Sequence, residues 1–245
     1  MHRPALAAAI LLASTGLAAA QTAPGFSAGD VTVRLAYSGI EPLNGGSHVN
    51  TAATIVGPGG GNVDVTGGVQ PEVDLSYFLT DNISLQLIAT ATRHEISVTG
   101  TKLNGVANLG SRIDVASTYV LPPAIVAQWN FAPHAAFDPY VGFGVDLLWP
   151  FDTQENTMNN QQAGLTALGL PPKGQVIQKA GLSNAIGPVF EVGLNYNISG
   201  PWFLNLDYKQ VINRLTARVH TVAGLVKANV DLDPAVLSAG IVYRF

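Results

Sequence analysis

Hydrophobic and polar residues alternate with a period of two along eight segments of the chain. The pattern is clearest at the carboxyl end, where one side of an extended strand would carry Leu237, Ala239, Ile241, Tyr243 and Phe245. A period of two is the period of a β-strand with one apolar face. Seven upstream segments repeat it, beginning at Val31, Val73, Ile83, Ile125, Phe143, Phe190 and Leu204. The alternation therefore predicts eight strands.

The connections between these segments are alternately short and long. Short turns are predicted at residues 80–82, 132–138 and 199–201, and long loops at about 39–68, 99–112, 151–183 and 214–233. A short helix is expected within the third loop, at residues 161–168. Short periplasmic turns that alternate with long extracellular loops are typical of an outer-membrane barrel, and an even number of strands lets an antiparallel barrel close.

The composition favours the same class of protein. Hydrophobic residues make up 47% of the chain and charged residues only 11%, yet no segment after residue 20 is apolar over the ~20 residues that a transmembrane helix needs. Barrel strands conceal their hydrophobicity, because apolar positions facing lipid alternate with polar positions facing the lumen. We predict an all-β fold, an eight-stranded antiparallel transmembrane β-barrel.

The first twenty residues have the features of an export signal. Arg3 gives a positive start, residues 5–13 form an apolar run, and residues 18–20 are small, as signal peptidase requires. The alternative is a membrane anchor, for which the run is too short. We expect a signal peptide at 1–20 and a barrel at 21–245 in the outer membrane of a Gram-negative bacterium, in contact with membrane lipids. The net charge of −4 gives no indication of a nucleic-acid partner.

Charged residues recur at inward positions of the predicted strands. Counted from the turns, they fall at similar heights and form a predicted lumen charge belt of Arg34, Glu72, Asp74, Asp146, Glu191, Asp207 and Lys209. Charges in so narrow a lumen must pair or remain hydrated. Two interpretations stay open, a structural polar plug and an ion-selective ring.

Above this belt the inward positions become apolar. The predicted cavity and gate residues are Val120, Pro122, Pro123, Ala124, Val126, Leu148, Val189, Val211 and Val236. They predict either simple packing beneath the loops or a hydrophobic cavity that opens toward the cell exterior. The adjacent prolines cannot donate backbone hydrogen bonds, so they predict a weak seam beside the third or the fifth strand, with a bend in the strand as the alternative.

Catalytic and metal-binding patterns are weak. The histidines that follow the signal segment are scattered, and only His94 falls at an inward position near the outer rim. A lipid-modifying enzyme would need a serine and a carboxylate beside it. We expect no enzyme activity, no metal and no cofactor.

The chain also resembles the outer-membrane protein W family over nearly its whole length after the signal segment. The resemblance rests on residues 79–83, on Leu-Pro-Pro-Ala at 121–124 followed by Ala-Gln-Trp at 127–129, on Pro-Tyr-Val-Gly at 139–142, and on the closing residues 238–240 and 243–245. The final Tyr243-Arg244-Phe245 resembles the terminal signature that the barrel-assembly machinery recognises, with Tyr243 and Phe245 as its signal residues. Members are narrow eight-stranded barrels, and the resemblance implies passage of small hydrophobic molecules across the outer membrane.

Two other functions remain as alternatives at this point. The first is a structural or interaction barrel whose extracellular loops act as a receptor and whose lumen conducts nothing. The second is the lipid-modifying enzyme centred on His94. Solute uptake separates a conduit from a receptor, and the surroundings of His94 in the folded lumen decide about the enzyme.

Overall fold

The computed structural model describes residues 25–43, 48–49, 62–99, 113–155, 177–221 and 224–245. Fifteen strands make up the described part of the chain: β1 (Val31–Pro42), β2 (His48–Val49), β3 (Asn62–Val65), β4 (Gly68–Phe78), β5 (Ile83–Thr90), β6 (Thr92–Thr99), β7 (Ile113–Leu121), β8 (Ala124–Asn130), β9 (Phe137–Glu155), β10 (Ile177–Leu182), β11 (Ala185–Ser199), β12 (Trp202–Val211), β13 (Asn213–Thr221), β14 (Gly224–Leu232) and β15 (Pro234–Arg244).

Eight of these strands close into an antiparallel barrel. Their order around the barrel is β1, β4, β5, β8, β9, β11, β12 and β15, and β15 pairs back onto β1 from Thr32 with Arg244 to Pro42 with Pro234. Closure leaves the sheet without a free edge in the barrel, which a hydrocarbon environment requires. The predicted eight-stranded antiparallel barrel is confirmed.

Short connections join strands at one end of the barrel, which we name the turn end, and the opposite end is the loop end. The other seven strands continue the sheet beyond the barrel at the loop end. The predicted long connection at 214–233 does join the last two barrel strands, but it is not an irregular loop, because β13 and β14 form a hairpin there, paired from Asn213 with Leu232 to Thr221 with Gly224. The predicted loops at 39–68, 99–112 and 151–183 are likewise shortened by strand at their ends. The signal segment 1–20 and the predicted helix at 161–168 lie outside the described residues.

Burial follows the predicted alternation. Along β4 and β12, every second side chain is buried in the lumen, and its neighbours are exposed on the outer surface. The outer surface carries exposed leucine, valine and aromatic side chains, such as Leu35, Phe143 and Trp129. No helix among the described residues is long and apolar enough to cross a membrane. The apolar outer surface is the kind that contacts lipid hydrocarbon.

Aromatic side chains occur near both ends of the barrel. At the turn end, the ring centroids of Trp202 and Tyr243 are 4.7 Å apart, and those of Tyr243 and Phe245 are 4.8 Å apart. At the loop end, the rings of Tyr119 and Phe151 are 5.9 Å apart. Aromatic rings at two levels are typical of the two membrane interfaces. Phe245 also donates its backbone N–H to the Val31 carbonyl at 2.8 Å, which ties the last residue to the first strand.

The segment before β1 closes the lumen at the turn end. Phe26 is 1% exposed and stacks between Phe78 and Phe203, with ring centroids 4.6 and 4.4 Å apart. Its N–H donates to the Pro133 carbonyl at 2.9 Å, and Val242 completes the buried cluster. We call Phe26, Phe78, Phe203 and Val242 the aromatic cap.

Candidate functional site

The lower lumen contains a network of buried charges. Arg34 donates hydrogen bonds to the carboxylates of Glu72, Asp74 and Asp207. Lys209 Nζ lies 2.9 Å from Glu72 Oε1 and 2.7 Å from Asp207 Oδ1. All five side chains are buried. With Glu191, whose Oε1 lies 3.9 Å from Lys209 Nζ, they form what we call the charge network.

Uncharged polar side chains add hydrogen bonds to this network, in which only Asp74 Oδ1 is buried without a partner among the described residues. Ser38 donates to Glu72 Oε2 at 2.8 Å, and Gln128 donates to Glu191 Oε2 at 2.9 Å. Asn205 accepts from Arg34 and donates to Asn195 Oδ1 at 2.8 Å. Buried charges are tolerated when they are paired and their remaining polar atoms are bonded. The arrangement supports the interpretation as a polar plug rather than an open ring.

Asp146 was predicted in the belt, but the structure places it elsewhere. It is buried, and Asn213 rather than Arg34 or Lys209 is its hydrogen-bond partner, with 2.5 Å between Asn213 Nδ2 and Asp146 Oδ2. The predicted heights were counted along each strand from its turn. Because barrel strands are tilted and staggered, equal counts do not give equal heights.

A cavity of about 80 Å³ lies directly above the charge network. Glu72 and Lys209 belong to both, so the network forms the cavity floor. Of the predicted cavity residues, seven line it: Val120, Pro122, Ala124, Leu148, Val189, Val211 and Val236. Val126 is 0% exposed and packs with Ala124 and Val189 below the wall, and half-buried Pro123 is not among the lining residues. The volume is several times the ~10–15 Å³ that one water needs.

The cavity also has residues that the sequence interpretation did not include. They are Ile40, Ile88, Thr90, Thr92, His94, Asn213 and Pro234. Ile88 lies on the inward face of the third predicted strand, so its alternation with Leu87 and Ala89 was a usable signal. Ile40 was missed because the first predicted loop began at residue 39, whereas β1 extends to Pro42. Pro234 was missed because it directly follows the last predicted loop, whereas β15 begins at Pro234 itself.

One seam of the barrel wall is interrupted beside the cavity. Pairing between β5 and β8 stops at Ile88 with Ala124, and pairing between β6 and β7 resumes at Thr92 with Val120. Residues 89–91 therefore face 121–123 across an interval without ladder pairs. On the outer surface of the barrel at this interval, Ala89 and Ala91 are exposed, and their small side chains cover little of the seam.

The two prolines contribute to this interruption differently. Pro123 faces β9 with its backbone, since its carbonyl accepts from Leu147 N–H at 3.0 Å. Backbone groups of successive strand residues point to opposite neighbours, so the backbone of Pro122 faces Thr90 across the open seam. Pro122 is therefore the residue whose missing N–H leaves the third-strand side unbonded.

Within the described part of the chain, the hydrogen bonds of His94 include neither a serine nor a carboxylate. Its Nε2 lies 2.8 Å from Thr92 Oγ1 and its Nδ1 lies 2.8 Å from the Thr66 carbonyl oxygen. A hydroxyl and a carbonyl fix the ring, whereas a base in a triad is oriented by a carboxylate. No group of histidines and carboxylates within the described ranges is arranged to hold a metal ion.

Gly25 to Gly29 have the spacing Gly-x-Ser-x-Gly, which in α/β-hydrolases presents a nucleophilic serine between a strand and a helix. Here the segment precedes a strand and carries Phe26 into the aromatic cap. The Ser27 N–H donates to Asp30 Oδ2 at 2.8 Å, in an exposed turn. The spacing serves the cap in this chain and is not set in a hydrolase elbow.

Comparison with known proteins gives consistent similarities. A sequence model of the OmpW family matches residues 27–245. Outer membrane protein W of Escherichia coli (strain K12) is 30% identical over 220 residues, which cover 89% of this chain and 89% of that protein. The crystal structure of OprG from Pseudomonas aeruginosa superposes with a TM-score of 0.76 at 21% identity, over 91% of this chain and 99% of that one. The structure of AlkL in lipid bilayers gives a TM-score of 0.61 at 21% identity, over 95% and 97%.

Proposed function

The chain belongs to the OmpW family and is an outer-membrane β-barrel of a Gram-negative bacterium, and from that premise we propose that it passes small hydrophobic molecules passively, with exit sideways into the membrane. The observation that carries the proposal is an apolar cavity that ends below on a charge network and at its side on an unpaired seam. An apolar solute would enter from the loop end and rest against Val120, Pro122 and Leu148.

The way straight down is unfavourable for such a solute. The charge network lies below the cavity, and the aromatic cap closes the lumen beneath it. Moving an apolar molecule past paired charges would break hydrogen bonds without replacing them. The seam at Pro122 offers the lower barrier, because no ladder bonds need to be broken there. The solute would leave between Ala89 and Leu121 into the outer leaflet.

The test compares two single substitutions. Pro122→Val supplies an N–H that faces Thr90, so it should close the seam, slow uptake severalfold and leave barrel stability equal or higher. Pro123→Val is the matched control, because its new N–H faces β9, where pairing already exists. Uptake of an apolar fluorophore is measured in cells whose lipopolysaccharide-covered outer membrane is itself a barrier, with the heat-modifiable gel band as the folding check.

The outcomes separate the proposals. Equal uptake in wild type and in folded Pro122→Val would rule out the lateral exit. Uptake by wild type no faster than in cells without the protein would rule out conduction and leave the alternative, a barrel whose extracellular loops act as a receptor.

A further inference from the structure

One polar spot interrupts the apolar wall of the cavity. Asp146 and Asn213 both line the cavity and are 3% and 1% exposed. Asn213 Nδ2 donates to Asp146 Oδ2 at 2.5 Å, and the buried Asn213 Oδ1 has no hydrogen-bond partner. A buried acceptor without a donor is costly. Asn213 Oδ1 is enclosed against Gly187, so the acceptor that the pair presents to the cavity is the Asp146 carboxylate.

Small residues on both sides make this spot possible. Asp146 on β9 pairs with Gly187 of β11 on one side and with Ala124 of β8 on the other. A Cβ at Gly187 would lie 2.3 Å from Asn213 Oδ1. The absence of a side chain there lets Asn213 reach from β13, beyond β11, to the Asp146 carboxylate. Neither neighbour screens the carboxylate from the cavity.

The other polar groups of the lining already have hydrogen-bond or ion-pair partners. Glu72 and Lys209 pair within the charge network. Thr90 donates to the Pro71 carbonyl at 2.8 Å, and Thr92 lies 2.8 Å from His94 Nε2. Among the described ion pairs, none gives Asp146 a cation. The Asp146 carboxylate, held by Asn213, is thus where the lining can accept further hydrogen bonds.

We infer that Asp146 and Asn213 form a polar anchor for a solute with an apolar body and a hydrogen-bond donor at one end, a hydroxyl or a primary ammonium. This inference rests on the proposed function and names its solute class. The Asp146 carboxylate has one described donor, the Asn213 amide, and a carboxylate can accept further hydrogen bonds, which a hydroxyl or an ammonium supplies. The valine, leucine and proline walls accommodate the rest of the molecule. A solute that ends in a carboxylate would be repelled by Asp146.

The anchor is tested with a matched series of 1-hexanol, 1-hexylamine and 1-methoxyhexane. Binding to the folded barrel in nanodiscs is followed by the NMR signals of the Asn213 side-chain amide, with each free concentration corrected for partition into lipid. A hydrogen bond to a charged group corresponds to about tenfold or more in affinity. The alcohol and the amine should therefore bind wild type at least about tenfold more tightly than the ether.

Two variants locate the effect at Asp146. In Asp146→Leu, the preference for the alcohol and the amine should disappear, while the ether binds as well as before. Asp146→Asn keeps the shape and one acceptor but removes the charge, so it should lose preference for the amine more than for the alcohol. Asp152→Asn, an exposed residue outside the cavity, is the control that should change nothing.

Each negative result has one meaning. If the ether binds wild type as tightly as the alcohol and the amine, the polar anchor is wrong and the proposed apolar cavity stands. If the preference survives in folded Asp146→Leu, the anchor lies elsewhere and the inference is also wrong. If none of the three compounds binds wild type, the proposed function itself fails.

Discussion

The lower and upper halves of the lumen are built from the same strands and have opposite properties. In the lower half, inward positions carry Arg34, Lys209 and their carboxylate partners, and a cavity of only about 20 Å³ remains. In the upper half, inward positions carry valine, leucine and proline, and the cavity is about 80 Å³. The backbone ladder is continuous below and interrupted at Pro122 above.

The difference shows how a barrel of this size combines a closed lower lumen with an upper cavity. An eight-stranded lumen is about filled by its side chains. Long charged residues that bond one another fill the lower half, whereas branched aliphatic residues and prolines leave space in the upper half. In the proposed function, the upper cavity communicates with the membrane through the seam and not with the periplasm along the barrel axis.

The largest effect should come from breaking the lower half. Arg34→Met removes the cation that three carboxylates share, and loss of one partner of a buried ion pair costs roughly 3–5 kcal/mol. The urea midpoint of unfolding in lipid should fall strongly. Leu35→Met, on the adjacent lipid-facing position, is the control with little expected change. Equal midpoints for both variants would mean that the charge network is hydrated and that the lumen is a water channel.

A smaller effect is expected in the upper half. Ile88→Val removes one methylene from the wall of a cavity that is already partly empty, and such a change costs about 0.5–1.5 kcal/mol. The same urea titration measures it, with Leu87→Val on the lipid-facing side as the control. A loss as large as that of Arg34→Met would show that the cavity wall is as tightly constrained as the charge network, which contradicts the comparison.

The smallest effect should occur outside the membrane, at the turn end. Asp81 Oδ1 accepts the Ala28 N–H at 2.9 Å, and Oδ2 lies 3.1 Å from His134 Nε2. The hydrogen bond from the Ala28 amide, followed by that from His134, holds the pKa of the Asp81 carboxyl below its ordinary value. A lowered folded pKa gives stabilisation that is present above the unfolded value, ~3.9 for aspartate, and is lost as the pH falls through the folded one.

Asp81→Asn should therefore lower the urea midpoint slightly near neutral pH, and the difference from wild type should shrink as the carboxyl is protonated below about pH 4. The measurement is a pair of urea titrations, one on each side of that value. A difference that persists unchanged at the lower pH would assign the effect to the shape of the turn rather than to the charge of Asp81.

The sequence predicted the barrel well because alternation survives in every membrane-crossing strand. Inward and outward positions of Arg34, Glu72 and Asp207 follow from parity alone, so their burial was predictable. The extended sheet at the loop end was not. Leu215, Ala217 and Val219 alternate with polar residues, as do Val226, Ala228, Val230 and Leu232, so the β13–β14 hairpin had a signal that the predicted loop overlooked. The pairing of this hairpin with β10 and β2, which lie far along the chain, could not be inferred from that signal.

Contacts that depend on strand tilt also could not be predicted from the sequence. Asp146 lies apart from the charge network and contacts Asn213 because neighbouring strands are staggered. Alternation along a strand shows which side chains point inward, but it does not give this stagger. The aromatic cap was missed for another reason. Phe26 lies in a short segment without alternation, and only the folded barrel brings it between Phe78 and Phe203.

The closing of the barrel has a consequence for its connectivity. Arg244 donates to the Gly25 carbonyl, Phe245 donates to Val31, and β1 and β15 are paired without interruption from Thr32 to Pro42 of β1. Residues 25 and 245 thus meet at one rim, although they are far apart in sequence. A ring of strands has no structural beginning, so a short peptide joining these two positions would let the chain be opened instead at a loop-end connection. A chain permuted in this way would keep the same order of strands around the barrel.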